Sequence, residues 1–357
     1  IIFANVTNIR LYFAFSNPGL RLMNYFYYKS RFDLEAGGSL EALTVAYSTY
    51  GEMNENRDNV VWICHALTAN SEVTRWWKGL AGEDSVIDPS KYFIVCANII
   101  GSCYGTTGPL SEDPRTGEIY AHNFPQVTIR DMVKAHILLR EHLGIEKIYL
   151  LIGGSMGGYQ AIEWAIMESA KIGLLVLLAT SSTESAWGIA IHTAQRLAIE
   201  ADASWAGHAS AAGSKGLKVA RAIGMLSYRN YGILVEKQTD TEIDKLDGYR
   251  ASSYINYQGD KLVERFNAYS YWLLTRSMDS HHIARFRGVS TETILRGIRQ
   301  KTLIIGISSD ILCPLNEQRF LGAHIPDSQV MEIDSAYGHD GFMVESEKIG
   351  HLLARWL

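Results

Sequence analysis

A strand-like run that enters a glycine-flanked serine constrains this chain more than any other feature. Ile148-Tyr149-Leu150-Leu151-Ile152 reads as a strand, Gly153-Gly154-Ser155-Met156-Gly157-Gly158 follows at once, and Tyr159 to Met167 continues with a helical pattern. A serine in this G-x-S-x-G spacing must sit on a sharp strand-to-helix turn. Its dihedrals are strained there, and the flanking glycines leave room for strand and helix to approach. The N–H of Met156, opening the helix, would then point to where a negative oxygen develops during attack on a carbonyl.

The remaining sequence supplies strands around that turn. Val60–Cys64, Phe93–Ala97, Leu174–Leu178, Thr302–Ile307 and Val330–Ile333 are short apolar runs of the kind buried on both faces, and Leu40 to Tyr50 reads as the first strand-rich stretch. Helical patterns alternate with them. The clearest begins at Thr128 with Asp131 three residues later, carries Ile129, Met132, Val133 and Ile137 on one face, and stops at Gly144. Alternation of this kind predicts an α/β fold, a mostly parallel central sheet with helices on both faces.

The alternation breaks between about Ser182 and Arg299, a proline-free stretch of helical character, and resumes at Lys301-Thr302-Leu303. The expected organisation is a discontinuous core, 23–181 and 300–357, interrupted by a helical lid at 182–299. Residues 1–22 mix aromatic, Asn and Arg residues without a clear period and lack the order of a secretory signal. They are expected to be an extension that contributes nothing to catalysis.

A serine nucleophile needs a base, and the base needs an orienting acid. In the α/β-hydrolase arrangement these follow as Asp or Glu and then His, on loops after later strands. Asp310 stands at the carboxyl end of Thr302–Ile307, and His339 in the loop after Val330–Ile333. Both positions lie where open α/β sheets bind ligands. Among 11 histidines, His324 and His351 are the nearest rivals, but both fall in helical stretches. Asp334 precedes the histidine loop too closely to orient the imidazole from another strand. Ser155, Asp310 and His339 are therefore the expected triad. The second oxyanion donor should come from the loop Cys64-His65-Ala66-Leu67-Thr68, with the N–H of Leu67 best placed and His65 a structural residue.

Composition removes other classes. Lys plus Arg number 33 against 38 for Asp plus Glu, a formal charge of -5 without a basic run, so nucleic acid and anionic membrane find no electrostatic footprint. The 4 cysteines form no C-x-x-C pair and no H-E-x-x-H is present, so no metal is expected and the thiols read as free. No apolar run reaches the roughly 18 residues of a membrane span.

From roughly Tyr25 to its C-terminus the chain resembles the homoserine O-acetyltransferases of the α/β-hydrolase fold. The carriers are His65-Ala66-Leu67-Thr68, Ala97-Asn98-Ile99-Ile100-Gly101-Ser102-Cys103-Tyr104-Gly105-Thr106-Thr107-Gly108-Pro109, and Phe124-Pro125-Gln126-Val127-Thr128-Ile129-Arg130-Asp131-Met132-Val133. Gly153 to Gly158, Ser308-Ser309-Asp310-Ile311-Leu312 and Gly338-His339-Asp340 complete them. The resemblance implies a ping-pong acyl transfer from acetyl-CoA, a substrate rather than a bound cofactor, to L-homoserine in methionine biosynthesis. It further implies Asp340 as partner of the substrate ammonium, Arg221 as the carboxylate-binding arginine, and a homodimer contacting through the lid. A cytoplasmic location follows from the absent signal, the free thiols and the CoA donor.

Arg221 and Tyr228 lie seven apart, two helical turns, so both can face the cleft from the lid. Arg196 is a weaker rival of Arg221 on the same insertion. In Met278-Asp279-Ser280-His281-His282, His282 departs from the Asp- or Asn-containing form of related sequences. The triad by itself leaves serine as acceptor, succinyl-CoA as donor, or an esterase open; a narrow lidded site favours transfer.

Overall fold

The computed structural model describes Met23–Leu357, so the expectation for residues 1–22 lies outside the described residues. Eight strands form one sheet in the order β1-β2-β4-β3-β5-β6-β7-β8. They are β1 (Asn24–Tyr28), β2 (Leu43–Tyr50), β3 (Val60–Cys64), β4 (Phe93–Ala97), β5 (Ile148–Gly154), β6 (Ile172–Leu178), β7 (Lys301–Ile307) and β8 (Ser328–Ile333). β1 and β4 pair antiparallel to β2, and every other pairing is parallel. The order reverses around β3, which places a crevice beyond the carboxyl ends of β3 and β5.

Both faces of the central strands are covered, which is why they read as unbroken apolar runs. Val60, Trp62 and Cys64 of β3 pack into one cluster with α1 (Ile129–His142) and α2 (Met156–Met167). Val61 and Ile63 pack into the other, against Val73, Trp77 and the C-terminal helix residues Ile349, Leu353 and Trp356. Thr128 caps α1 as its sequence predicts: its hydroxyl accepts from the Asp131 N–H, and the Asp131 carboxylate accepts from the Thr128 N–H.

Two edge strands correct the sequence reading. The first strand is Asn24–Tyr28, ahead of the Leu40 to Tyr50 stretch, and it escaped because Tyr25 and Tyr27 are exposed, leaving no buried run to read. β8 is likewise an edge, half-buried along most of its length, not a strand covered on both faces.

Between β6 and β7 the chain is helical: α3 (Ala186–Glu200), α4 (Ser214–Tyr228), α5 (Tyr231–Gln238), α6 (Arg250–Val263), α7 (Ala268–Asp279) and α8 (Thr291–Arg296). Ser185, Asn230, Asn267 and Ser290 cap four of them through side-chain oxygens. α3 and α4 cross closely because glycine permits it; a Cβ on Gly216 would stand 2.4 Å from the Cα of Ile199. Among the described residues, no helix is long and apolar enough to cross a membrane.

Candidate active site

β5 delivers Ser155 to its turn with φ 55 and ψ -126, the strained conformation the glycines foretell. Neighbouring strand and helix hold that conformation. The Ser155 N–H donates to the Leu178 carbonyl at 2.9 Å, while the Ser155 carbonyl accepts from the Gly158 N–H at 2.8 Å and the Thr180 hydroxyl at 2.9 Å. Close approach demands the missing Cβ atoms: one on Gly153 would lie 2.1 Å from the Gly157 carbonyl oxygen, and one on Gly157 2.1 Å from that of Cys64.

Two later strand ends bring the partners. His339 Nε2 lies 2.8 Å from Ser155 Oγ, and His339 Nδ1 lies 2.7 Å from Asp310 Oδ2. A carboxylate only accepts, so Nδ1 carries the proton and Nε2 is left to receive the serine proton. Asp310 is itself fixed, its Oδ1 accepting the N–H groups of Leu312 at 2.8 Å and Cys313 at 2.9 Å. Burial opposes the charged form of His339, but the charge and hydrogen bond of Asp310, with Asp340 and Glu184 beyond, hold its pKa above the ordinary value. Asp334, the sequence rival of Asp310, accepts from the Ser308 hydroxyl instead.

The oxyanion side is held by a residue the sequence reading missed. Gln160, fully buried one turn into α2, donates through Nε2 to the carbonyls of His65 at 3.1 Å and Met156 at 3.2 Å. It thereby fixes the loop bearing Leu67 against the helix bearing Met156. No hydrogen bond occupies the N–H of Leu67 or of Met156 among the described residues. His65 is structural, as expected: its Nδ1 donates to the Ala66 carbonyl at 2.9 Å, and burial pushes its pKa down to about 4.

Ser155 opens on a cavity of about 340 Å³ lined also by Leu67, His192, Arg221, Tyr228, His339 and Asp340. The Arg221 guanidinium lies 5.4 Å from the centre of the Tyr228 ring, and that ring lies 6.2 Å from the ring of His339. Both lid residues expected at the cleft are thus brought there. Arg196 is not: it pairs with Asp279 at 2.6 Å. His282 lies apart from the cavity, its Nδ1 accepting from the Ala284 N–H at 3.1 Å.

Asp340 reaches the cavity but not as a free carboxylate. Arg229, one residue beyond α4 and unremarked in the sequence, places Nε 3.1 Å from Asp340 Oδ2. Burial raises the Asp340 pKa, against the opposing pull of Arg229, Arg221 and His339. The cleft therefore offers a nucleophile with its base, two N–H groups without protein acceptors, and cationic and anionic side chains on one wall. Such a set can take an acyl group and present it to a second substrate carrying both charges.

Comparison with known proteins shows the family and the fold. The family described as alpha/beta hydrolase fold matches residues 59–346. A homoserine O-acetyltransferase of Cyclobacterium marinum is 46% identical over 328 residues, 92% of this chain and 93% of the relative. Among solved structures, homoserine O-acetyltransferase from Bacillus anthracis superposes with TM-score 0.86 at 23% identity, covering 94% of this chain and 98% of that one. Esterase E22 superposes with TM-score 0.84 at 21% identity, covering 94% of this chain and 100% of its own. At such identities the two structures speak for the fold alone.

Proposed function

The chain belongs to the homoserine O-acetyltransferase family of the α/β-hydrolase fold, and from that premise we propose that it carries acetyl from acetyl-CoA to L-homoserine through an acyl-serine. The observation that carries this reading is the hydrogen-bonded line Asp310–His339–Ser155, at 2.7 and 2.8 Å, opening on a cavity walled by Arg221 and Asp340.

In the first half-reaction His339 Nε2 takes the Ser155 proton as Oγ attacks the thioester carbonyl. The N–H groups of Leu67 and Met156 hold the oxyanion, the C–S bond breaks, and the imidazolium returns its proton to the CoA sulfur. In the second, His339 takes the proton of the homoserine hydroxyl as that oxygen attacks acetyl-Ser155. The Oγ–C bond breaks and the serine regains its proton. No bound cofactor is required. Arg221 would pair with the substrate carboxylate and Asp340 with its ammonium, with Tyr228 beneath the guanidinium. The product serves methionine biosynthesis.

A serine triad by itself also admits water, and this rival nucleophile is the central issue. Water stands at ~55 M and an amino-acid acceptor works near ~1 mM, so transfer must favour the acceptor by roughly 5 × 10⁴, about 6 kcal/mol. Orientation by paired charges in a lidded site is the means available. Ser155 is only 7% exposed, which supports exclusion of water.

A homodimer joined through the lid belongs to the same reading, supported by the exposed apolar side chains Leu197, Val219, Leu226 and Tyr257 on α3, α4 and α6. So does a cytoplasmic location, with small zwitterions rather than nucleic acid or membrane as partners, in line with the net charge of -5.

The test is brief incubation with acetyl-CoA, intact-mass measurement, then addition of L-homoserine, L-serine or buffer. The expected result is an acetyl adduct on Ser155 cleared by homoserine. Clearance in buffer at the same rate indicates a hydrolase, and no adduct overturns the covalent mechanism. Succinyl-CoA in place of acetyl-CoA tests the donor.

A further inference from the structure

A second histidine reaches the cleft. His192, on α3, is 2% exposed and lines the cavity with Ser155, Arg221 and Met278. Its Nδ1 lies 2.7 Å from Asp279 Oδ1 on α7, and the other oxygen of Asp279 lies 2.6 Å from Nη2 of Arg196. Asp279 can only accept, so Nδ1 of His192 bears the proton, and in the neutral imidazole Nε2 keeps its lone pair. In that tautomer Nε2 is an acceptor, and no group of the protein donates to it among the described residues.

Helix register places this acceptor. α3 and α4 run antiparallel, with Gly216 against Ala198 and Ile199 and Gly224 against Gln195. One turn back along α3 from Gln195 brings His192 level with Tyr228, whose ring lies under the guanidinium of Arg221. His192 thus stands at the depth in the cleft where Arg221 presents its charge.

An α-amino acid bound there brings an ammonium with three N–H donors. Asp340 supplies its counter-charge, but Oδ2 of Asp340 already faces Arg229 at 3.1 Å. Donors left without acceptors once the bound substrate displaces water are costly, so a further acceptor favours binding. We infer that His192 Nε2 accepts a hydrogen bond from the α-ammonium of the acceptor substrate, with Asp279 holding the imidazole in the required tautomer. The inference rests on the acceptor reading of the preceding section.

His192→Leu removes the acceptor, and His192→Asn removes it while retaining a donor toward Asp279. In each, Ser155 acylation by acetyl-CoA is followed by intact mass, and the adduct is then discharged with L-homoserine, 4-hydroxybutyrate or 3-aminopropan-1-ol. Acylation at the wild-type rate, discharge by homoserine about tenfold to a hundredfold less efficient, and no loss with 4-hydroxybutyrate, which lacks the ammonium, are expected. An equal loss with 4-hydroxybutyrate, a loss that disappears only with 3-aminopropan-1-ol, or slowed acylation overturns the role. A wild-type enzyme that forms no adduct, or one that homoserine does not clear, is the separate failure of the underlying transferase reading, and the inference falls with it.

Discussion

Arg229 Nε lies 3.1 Å from Oδ2 of Asp340, and Asp340 immediately follows His339 in the chain. One buried carboxylate therefore faces an arginine of the lid boundary and the catalytic-site histidine, and in the proposed function an incoming ammonium as well. After burial, which raises the Asp340 pKa, Arg229 is the strongest influence upon it and keeps it toward the ionised form.

Replacing Arg229 by Met should raise the Asp340 pKa further and leave its carboxylate free to turn. The expected outcome is about a tenfold rise in the KM for homoserine, the scale of one charge-assisted hydrogen bond, with acylation changed less than threefold. Single-turnover rates of the two half-reactions decide it, and an equal fall in both counts against the assignment.

The pH dependence of acylation tests the other neighbour of Asp340. His339 acts as base only when neutral, and its pKa is held above the ordinary 6.5 despite burial, by Asp310 with help from Asp340 and Glu184. Acylation should therefore decline as pH falls through a value above 6.5. In Asp340→Asn one supporting charge is gone, and the acidic limb should move to lower pH; a limb that stays or rises refutes the coupling.

Asp310→Asn should leave the fold intact, since an amide oxygen can still accept from the N–H groups of Leu312 and Cys313. It cannot hold the Nδ1–H tautomer of His339 as a carboxylate does. Loss of the orienting acid costs about 10⁴ in turnover in serine triads, and a loss of that order in Ser155 acylation is expected. Unchanged thermal melting together with near-normal acylation defeats the assignment.

Stability should fall on mild acidification. Burial pushes His65 down to about 4 and His136 and His281 down to about 3. The unfolded chain takes up these protons near 6.5, whereas the folded protein resists until about 4 or 3, so stability is complete above 6.5 and erodes below it. Each histidine contributes a slope of about 1.4 kcal/mol per pH unit in that window. Urea unfolding between pH 7 and 4.5 measures the slope, and a flat profile shows that these imidazoles protonate in place.

Gly157→Ala should be among the most damaging single substitutions. Its Cβ would stand 2.1 Å from the Cys64 carbonyl oxygen, which cannot yield without displacing the loop that carries Leu67. A destabilisation of about 3 kcal/mol, at the upper end for overpacking, is expected from urea titration, together with loss of the acetyl adduct. Wild-type acylation in this variant removes the steric argument.

What was legible in the sequence is what depends on near neighbours in the chain. The strand entering Ser155, the glycines around it and the Thr128–Asp131 cap are local patterns, and strand ends followed by Asp310 and His339 need only chain order. The lid's helical character was equally plain, because hydrophobic periodicity and missing prolines act over a few residues. The tertiary structure alone decided which charges meet. Arg196 and Arg221 look alike in sequence, yet packing of α3 against α7 turns Arg196 to Asp279, while Arg221 is free for the cleft. Gln160, Arg229 and His192 acquire their roles only because separate elements bring His65, Asp340 and Asp279 to them. No periodicity marks such partners. Side-chain pairing is set by the close packing of segments distant in the chain, and the sequence pattern specifies those segments without specifying which of their polar atoms face one another.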